Sequence, residues 1–189
     1  MRVIALLTTL LLTSLSAQAD WTLSNDNSNL TFLTTKNSQV TEVSHFKSLS
    51  GTFDGKLATL EIDLTSVDSL IPIRNERMAK FLFETTKFAK AVISVSIDDK
   101  LMEKLEKTSS ISAELEAKVS LHGKEKTVPA KVFVSKESNG TLNVLSTQPI
   151  LIYASDFLLS DGVNKLQEIA KLKSISHTVP VSFKLQYKK

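Results

Sequence analysis

Residues capable of acid–base, nucleophilic or metal chemistry are sparse in this 189-residue chain. Its three histidines, His45, His122 and His177, lie too far apart for metal-ligand spacing such as the i, i+4 pair of a helical site. The chain has no cysteine to act as a nucleophile or thiolate ligand, no G-x-S-x-G elbow and no phosphate-binding glycine loop. We therefore predict that the protein is not an enzyme and that it has no catalytic residue, no metal site and no resident cofactor. We expect His122 to be a solvated turn residue.

Phenylalanine supplies nine of the aromatic side chains, against two tyrosines and one tryptophan. A phenylalanine ring has no polar group, so it can line a dry interior without needing a hydrogen-bond partner. This composition suits an ordinary core and the wall of a ligand cavity equally well. Both interpretations stay open from residue types alone.

Arginine is scarce: beyond Arg2, the chain contains only Arg74 and Arg77. Nucleic-acid binders depend on arginine, and Lys+Arg is 23 against 20 Asp+Glu, so we predict no nucleic-acid partner. Two neighbouring cations beside an apolar cavity would suit an amphiphile with a polar head. A solvated helix start, with Asn75 as its N-cap, explains the same residues and is favoured by residue type alone.

The elements that must position these residues are mostly strands, because apolar and polar residues alternate with period two along much of the chain. The clearest run is 111–122, and the full set of predicted strands is 29–35, 40–49, 58–65, 91–97, 111–122, 128–134, 142–146, 150–153 and 179–188. Apolar residues at helical spacing predict three short helices at 75–83, 98–107 and 164–173. Many one-sided strands favour a closed antiparallel barrel, since closure removes exposed edges.

The N-terminus has the pattern of a secretory signal peptide: Arg2, an apolar run and then Ala17-Gln18-Ala19. The apolar run is too short to span a bilayer, and we predict no transmembrane segment in the mature chain. Cleavage after Ala19 would remove 19 of the 189 residues and leave 170. The expected location is the periplasm or the medium.

Several landmarks resemble those of the YceI-like family of lipocalin-like, polyisoprenoid-binding periplasmic proteins. Trp21-Thr22-Leu23 followed by 27–32 resembles the opening strand of that family, and 49–55 resembles its G-x-F segment. The stretches 63–69 and 74–78, the hairpin 117–124 and Ser155-Asp156-Phe157 complete the resemblance, which covers the mature chain, 20–189. Ala154 and Leu158 depart from it, since arginine and glycine are usual at those places.

The resemblance implies an all-β fold, an eight-stranded antiparallel lipocalin-like barrel with two or three short helices. It implies a carrier that holds a long apolar amphiphile, an isoprenoid quinone or a polyprenyl lipid, in its interior. It also implies that Arg74 and Asn75 either lie at the mouth near the head group or brace the helix. The candidate lining residues are Phe32, Phe81, Leu82, Phe88, Leu115, Val119, Phe157 and Phe183. The alternative is a filled barrel without a ligand, acting on an envelope partner or in a stress response. Whether the protein is a monomer or a homodimer is left open.

Overall fold

The computed structural model describes residues 21–189. The predicted signal peptide, residues 1–19 with its cleavage point after Ala19, lies outside the described residues. No helix in the described part of the chain is both long enough and apolar enough to cross a membrane.

Thirteen β-segments form one antiparallel sheet. The nine strands predicted from alternation fall on ten of them, and the short segments Trp21–Leu23, Thr52–Phe53 and Val67–Asp68 lie outside the predicted ranges. The segment Ser110–Leu121 alternates buried and exposed residues over most of its length, as the period of two requires. In chain order the segments are β1 (Trp21–Leu23), β2 (Asn29–Lys36), β3 (Val40–Phe46), β4 (Leu49–Ser50), β5 (Thr52–Phe53), β6 (Leu57–Asp63), β7 (Val67–Asp68), β8 (Lys90–Ser96), β9 (Ser110–Leu121), β10 (Lys124–Lys136), β11 (Leu142–Ser146), β12 (Ile150–Tyr153) and β13 (Thr178–Lys188).

The sheet closes into a barrel of eight strands, as predicted. Segments β1 and β2 form one interrupted strand that lies along β13, and β11 and β12 form another on the opposite side of β13. Segments β3, β4 and β5 together form the strand between β1/β2 and β6. The ring continues through β6, β8, β9 and β10 to β11. Only β7 is additional to the ring, pairing with the end of β3.

Three helices lie in the connections between strands, and their limits differ in part from the prediction. Helix α1 (Pro72–Arg77) continues as a π-helical turn (Met78–Leu82) and begins three residues before the predicted start, with Pro72 in its first turn. Helix α2 (Asp99–Thr108) is capped by Asp98, whose carboxylate accepts from the Lys100 amide. Helix α3 (Ser160–Ala170) begins four residues before the predicted start and ends three residues before the predicted end. It ends there because Lys171 adopts a left-handed backbone.

The two ends of the barrel are built differently. At one end α2 packs Leu105 into the interior, and the rings of Trp21 and Phe53 lie 5.3 Å apart. The Trp21 indole N–H donates to the Gly140 carbonyl at 2.8 Å, which satisfies its polar group. This end is therefore filled by side chains. The connections at the other end carry α1 and α3.

Helix α3 crosses the π-helical turn with no room for a side chain at Gly162. A Cβ placed there would lie 2.7 Å from the Phe81 carbonyl oxygen and 2.9 Å from the Leu82 Cα, and neither backbone atom can yield easily. We expect Gly162→Ala to destabilise the protein by about 1–3 kcal/mol in guanidinium denaturation, despite the better helix propensity of alanine. Asn164→Ala, an exposed change on the same helix, is the control and should be close to neutral. Equal unfolding curves for the two variants would contradict this close approach.

Candidate ligand-binding site

A cavity of about 680 Å³ occupies the barrel interior and is lined almost entirely by apolar side chains. Its size falls within the range of roughly 300–1,000 Å³ typical of small-molecule sites. The cavity-facing side chains alternate along the strands with outward-facing ones, so the barrel itself positions the wall. The side chains leave this interior space open, in contrast to the filled barrel of the alternative prediction.

Five of the predicted lining residues face this cavity. They come from four different parts of the chain: strands β2, β9 and β13 and the π-helical turn. They are Phe32, Leu82, Leu115, Val119 and Phe183. The four on strands were placed by alternation, which assigns a side to every second residue.

The other three predicted lining residues, all phenylalanines, do not line the cavity. Phe81 lies at the outer side of the π-helical turn, with the Lys80 ammonium 5.1 Å from its ring centre. Phe88 follows that turn outside the barrel and packs against His122 in a tilted arrangement, their ring centres 4.4 Å apart. Phe157 is only 1% exposed, but it packs behind the cavity wall in a separate cluster with Ala154, Leu159 and Val163. All three lie in helices, turns or loops, where alternation assigns no side.

The cavity reaches the surface between the start of α1 and the end of α3. Among its lining residues within 21–189, the exposed ones are Ile71, Ile73 and Ala170. The solvent-accessible opening between these three residues is called the mouth below. The filled end of the barrel lies opposite the mouth.

Charged residues gather at the mouth around Glu42. The Arg74 guanidinium donates to both of its carboxylate oxygens, at 2.6 Å and 3.2 Å, and the Lys36 ammonium donates to the same group. The hydrogen bond from Lys36 holds the pKa of Glu42 below its usual value, with a further contribution from Arg74. Glu42 lies on the inward-facing side of β3 with Ser44 and Phe46. A carboxylate at an inward-facing strand position is the feature of the sequence that marks this site.

Arg74 lines the cavity as part of this ion cluster, and Arg77 lines it one helical turn later. Arg77 makes no ion pair or side-chain hydrogen bond with any residue in 21–189, so its guanidinium is available to a ligand. The sequence prediction named Arg74 and Asn75 for the head group. Arg74 and Arg77 line the cavity, whereas Asn75 does not.

Asn75 lies outside the cavity and braces the turn before α1 from within the helix, so its predicted role as N-cap is wrong. Its side-chain oxygen accepts from the Ser69 amide at 2.9 Å and from the Ser69 hydroxyl at 2.6 Å. Its amide nitrogen donates to Asp68 at 3.1 Å. Asp68 also accepts from the Leu70 amide at 2.8 Å and pairs with Lys47 at 2.9 Å.

The Asp68 carboxylate in this turn makes part of the protein's stability decrease at acid pH. The hydrogen bond from Lys47, followed by those from Leu70 and Asn75, lowers the pKa of Asp68 from 3.8 to about 2. Because the folded-state pKa is depressed, the stabilisation is present above about pH 4 and is lost as the pH falls towards 2. We expect Asp68→Asn to flatten the decline of Tm between these pH values, measured by thermal melts across the range.

The control for this prediction is Asp161→Asn. The Asp161 carboxylate makes no hydrogen bond or ion pair with the rest of residues 21–189. Its replacement should leave the acid limb of the Tm profile as steep as in the native protein. A native-like acid limb in Asp68→Asn would show that the turn does not contribute.

The floor of the cavity has one polar feature. The Tyr187 hydroxyl donates to the Thr59 carbonyl at 2.9 Å, and both residues line the cavity. Burial raises the pKa of Tyr187 to about 12, so the phenol stays neutral. Because the hydroxyl proton is already donated to Thr59, it is not available to a ligand, and the floor suits an apolar ligand end.

His122 is not the solvated residue that we predicted. Its side chain is only 10% exposed, and its Nε2 lies 3.0 Å from a carboxylate oxygen of Glu84. The tip of the β9–β10 hairpin folds beneath the segment that carries Glu84 and Phe88, and this packing buries the ring. The pKa of Glu84 is lowered, first by Lys87 and then by His122. Across the described residues, no three histidine, aspartate or glutamate side chains group as metal ligands would.

The closed eight-stranded antiparallel barrel around an apolar cavity places the chain in the lipocalin-like class of barrels. The model of the YceI-like domain matches residues 21–187, and the chain belongs to the YceI-like family. A search of curated proteins found no match.

Solved structures agree with this assignment. A polyisoprenoid binding domain from Saccharophagus degradans, implicated in plant cell wall breakdown, is 32% identical over 89% of this chain and 97% of its own, with a TM-score of 0.84. BcnA of Burkholderia cenocepacia is 20% identical over 87% of this chain and 98% of its own, with a TM-score of 0.66. A Campylobacter jejuni YCEI protein is 14% identical over 77% and 84%, with a TM-score of 0.53. The last two show similarity of fold.

Proposed function

We propose that this protein binds a long apolar amphiphile, an isoprenoid quinone or a polyprenyl lipid, inside the barrel and acts as its carrier. The observation that carries the proposal is the 680 Å³ apolar cavity with its cationic mouth. The similarity to a domain described as polyisoprenoid binding supports the same class of ligand. The predicted signal peptide supports a periplasmic or secreted site of action.

Binding would rest on exclusion of water from the apolar tail. Each buried CH₂ group contributes roughly 0.8 kcal/mol, so a tail of many carbons binds tightly without specific hydrogen bonds. The apolar wall fits this mode because it offers few polar partners to a ligand. The tail would lie towards Tyr187 and the head group at the mouth.

The direct test is native mass spectrometry of the protein purified from the periplasm or medium of its own host. We expect a mass above that of the bare chain, and organic extraction should release a prenyl lipid or quinone. A bare mass with no extractable lipid, together with no uptake of added polyprenol, would refute the proposal. The same spectrum would show whether cleavage occurs after Ala19.

The head group would contact Arg77, since Arg74 is already paired with Glu42. We expect Arg77→Gln to weaken binding of a polyprenyl phosphate by about tenfold, because a charge-assisted hydrogen bond to the phosphate is lost. Binding of the uncharged polyprenol should not change, which separates a head-group effect from damage to the cavity. Fluorescence titration with both lipids makes the measurement. Lys80→Gln, which removes an exposed cation from the following turn, is the control.

If Arg77→Gln weakened binding of both lipids equally, Arg77 would be acting on the shape of the cavity. If Arg74→Gln had the larger phosphate-specific effect, Arg74 would be the head-group contact instead.

A further inference from the structure

The segment 70–73, called the apex below, projects apolar side chains into solvent beside the mouth. Leu70, Ile71 and Ile73 are 82%, 41% and 51% exposed, and Pro72 between them is also exposed. Exposed apolar residues are common one at a time, whereas a run of four is unusual on a protein surface.

The fold holds this run outward through specific interactions. Leu70 has a left-handed backbone, with φ of 63°, which a branched apolar residue adopts only under constraint. The constraint comes from a bonded network of largely buried polar side chains: Asp68 holds the Leu70 amide, and Asn75 holds both Asp68 and Ser69. Asp68 and Ser69 are themselves buried. These hydrogen bonds therefore hold the apex in a defined, outward-facing position.

The apex is continuous with the cavity wall, since Ile71 and Ile73 belong to both. Whatever covers the apex also faces the opening through which an apolar molecule enters or leaves. An apolar run at such a place suits the hydrocarbon side of a membrane interface, where the cavity and the bilayer core would be joined without an aqueous gap.

Cations surround the mouth on the side opposite the apex. Lys171 and Lys173 are exposed, while Leu172 between them lines the cavity. The loop that carries them is tied to the β2–β3 hairpin by hydrogen bonds between Lys173 and Asn37 and between Asn37 and Ser174. Basic side chains across the mouth from an apolar projection can contact anionic head groups while the projection enters the apolar part of a bilayer.

We propose that the mouth docks onto an anionic lipid bilayer, with the apex inserted among the lipids and Lys171 and Lys173 on the head groups. Docking itself requires no cargo. The exchange of an amphiphile at the docked mouth rests on the proposed function.

The test is co-flotation of the purified protein with vesicles of phosphatidylcholine alone or mixed with phosphatidylglycerol. We expect binding to the anionic vesicles, and a loss of about tenfold in Leu70→Ser/Ile73→Ser, since two apolar side chains would no longer insert. The matched control is Leu57→Ser/Leu151→Ser, which removes leucines 42% and 45% exposed at the far end and on the barrel wall. Its binding should equal that of the native protein.

The electrostatic part is tested by Lys171→Gln/Lys173→Gln. We expect a loss of about tenfold on anionic vesicles, with weaker binding of the native protein as salt rises. The control Lys104→Gln/Lys107→Gln removes two exposed cations from α2, at the filled end, and should leave binding unchanged.

Insertion has its own readout in Leu70→Trp. The single native tryptophan, Trp21, is 5% exposed at the far end, so its emission should not respond to vesicles. We expect the emission of Leu70→Trp to shift to shorter wavelength when anionic vesicles are added. The control is the native protein.

Three results would overturn the proposal: no flotation of the native protein with anionic vesicles, equal loss in the apex and control variants, or no emission shift in Leu70→Trp. Specific capture of a protein at the mouth without vesicle binding would replace it with a protein partner. Titration of each variant with a dansylated polyprenol, without vesicles, keeps the two proposals separate. If the native protein floated with vesicles but did not bind polyprenol, the proposed cargo would be rejected and the docking proposal would stand.

Discussion

Leu115→Trp is expected to weaken binding of a polyprenyl chain by at least about a hundredfold, because the indole would occupy space that several carbons of the tail would otherwise fill. Leu115 faces the cavity from β9. Since the indole enters existing space, Tm should stay unchanged or rise. In a filled core the same substitution would overpack the interior and lower Tm.

The neighbouring position provides the control. Glu116 is exposed on the opposite face of the same strand, so Glu116→Trp adds an indole of the same size to the outside of the barrel. Titration with polyprenol should give native affinity for Glu116→Trp. Native affinity in Leu115→Trp, or a large fall in its Tm, would mean that the cavity is not the binding site.

Phe157→Ala is expected to reduce the free energy of unfolding by about 3–5 kcal/mol while leaving polyprenol affinity nearly unchanged. Phe157 is 1% exposed and packs on Ala154, Leu159 and Val163, so its removal leaves a void inside a filled cluster. Such a loss is a large part of the stability of a typical domain, roughly 5–15 kcal/mol. Guanidinium denaturation and a binding titration measure the two effects.

Phe183→Ala is the matched comparison, since it removes the same ring from the cavity wall. We expect a stability loss below about 2 kcal/mol, because one side of this ring already borders open space, and a clear loss of affinity. If Phe157→Ala instead lost affinity and Phe183→Ala lost more stability, Phe157 would line the cavity, as the sequence analysis predicted. Equal effects on both quantities would mean that the two phenylalanines share one environment.

Much of the barrel could be predicted from the sequence because strand alternation is a local property. In β9 every second residue is apolar, and that pattern alone places Leu115 and Val119 on the inner side. The same reasoning placed Phe32 on β2 and Phe183 on β13. The order of short motifs was enough to identify the family, since it depends only on the residues and their spacing.

Prediction was weaker where the chain leaves the strands. Phe81, Phe88 and Phe157 have the same side chain as Phe32, yet the helical turn, the loop and the short turn that carry them have no fixed relation to the barrel interior. The N-cap prediction for Asn75 was wrong for a related reason. An asparagine near a helix start suits an N-cap, but Pro72 begins the helix earlier and Asn75 reaches back to Ser69 and Asp68.

The sequence by itself determined most of the strands, their inner faces, the absence of thiol chemistry and the family to which the chain belongs. Only the tertiary structure decided that the interior holds a cavity, that its mouth lies between Ile73 and Ala170, and that Arg77 lines it without an ion pair to any residue in 21–189. The physical reason is that alternation is set between neighbouring residues, whereas a cavity is the difference between the volume that the closed barrel encloses and the volume that its side chains fill.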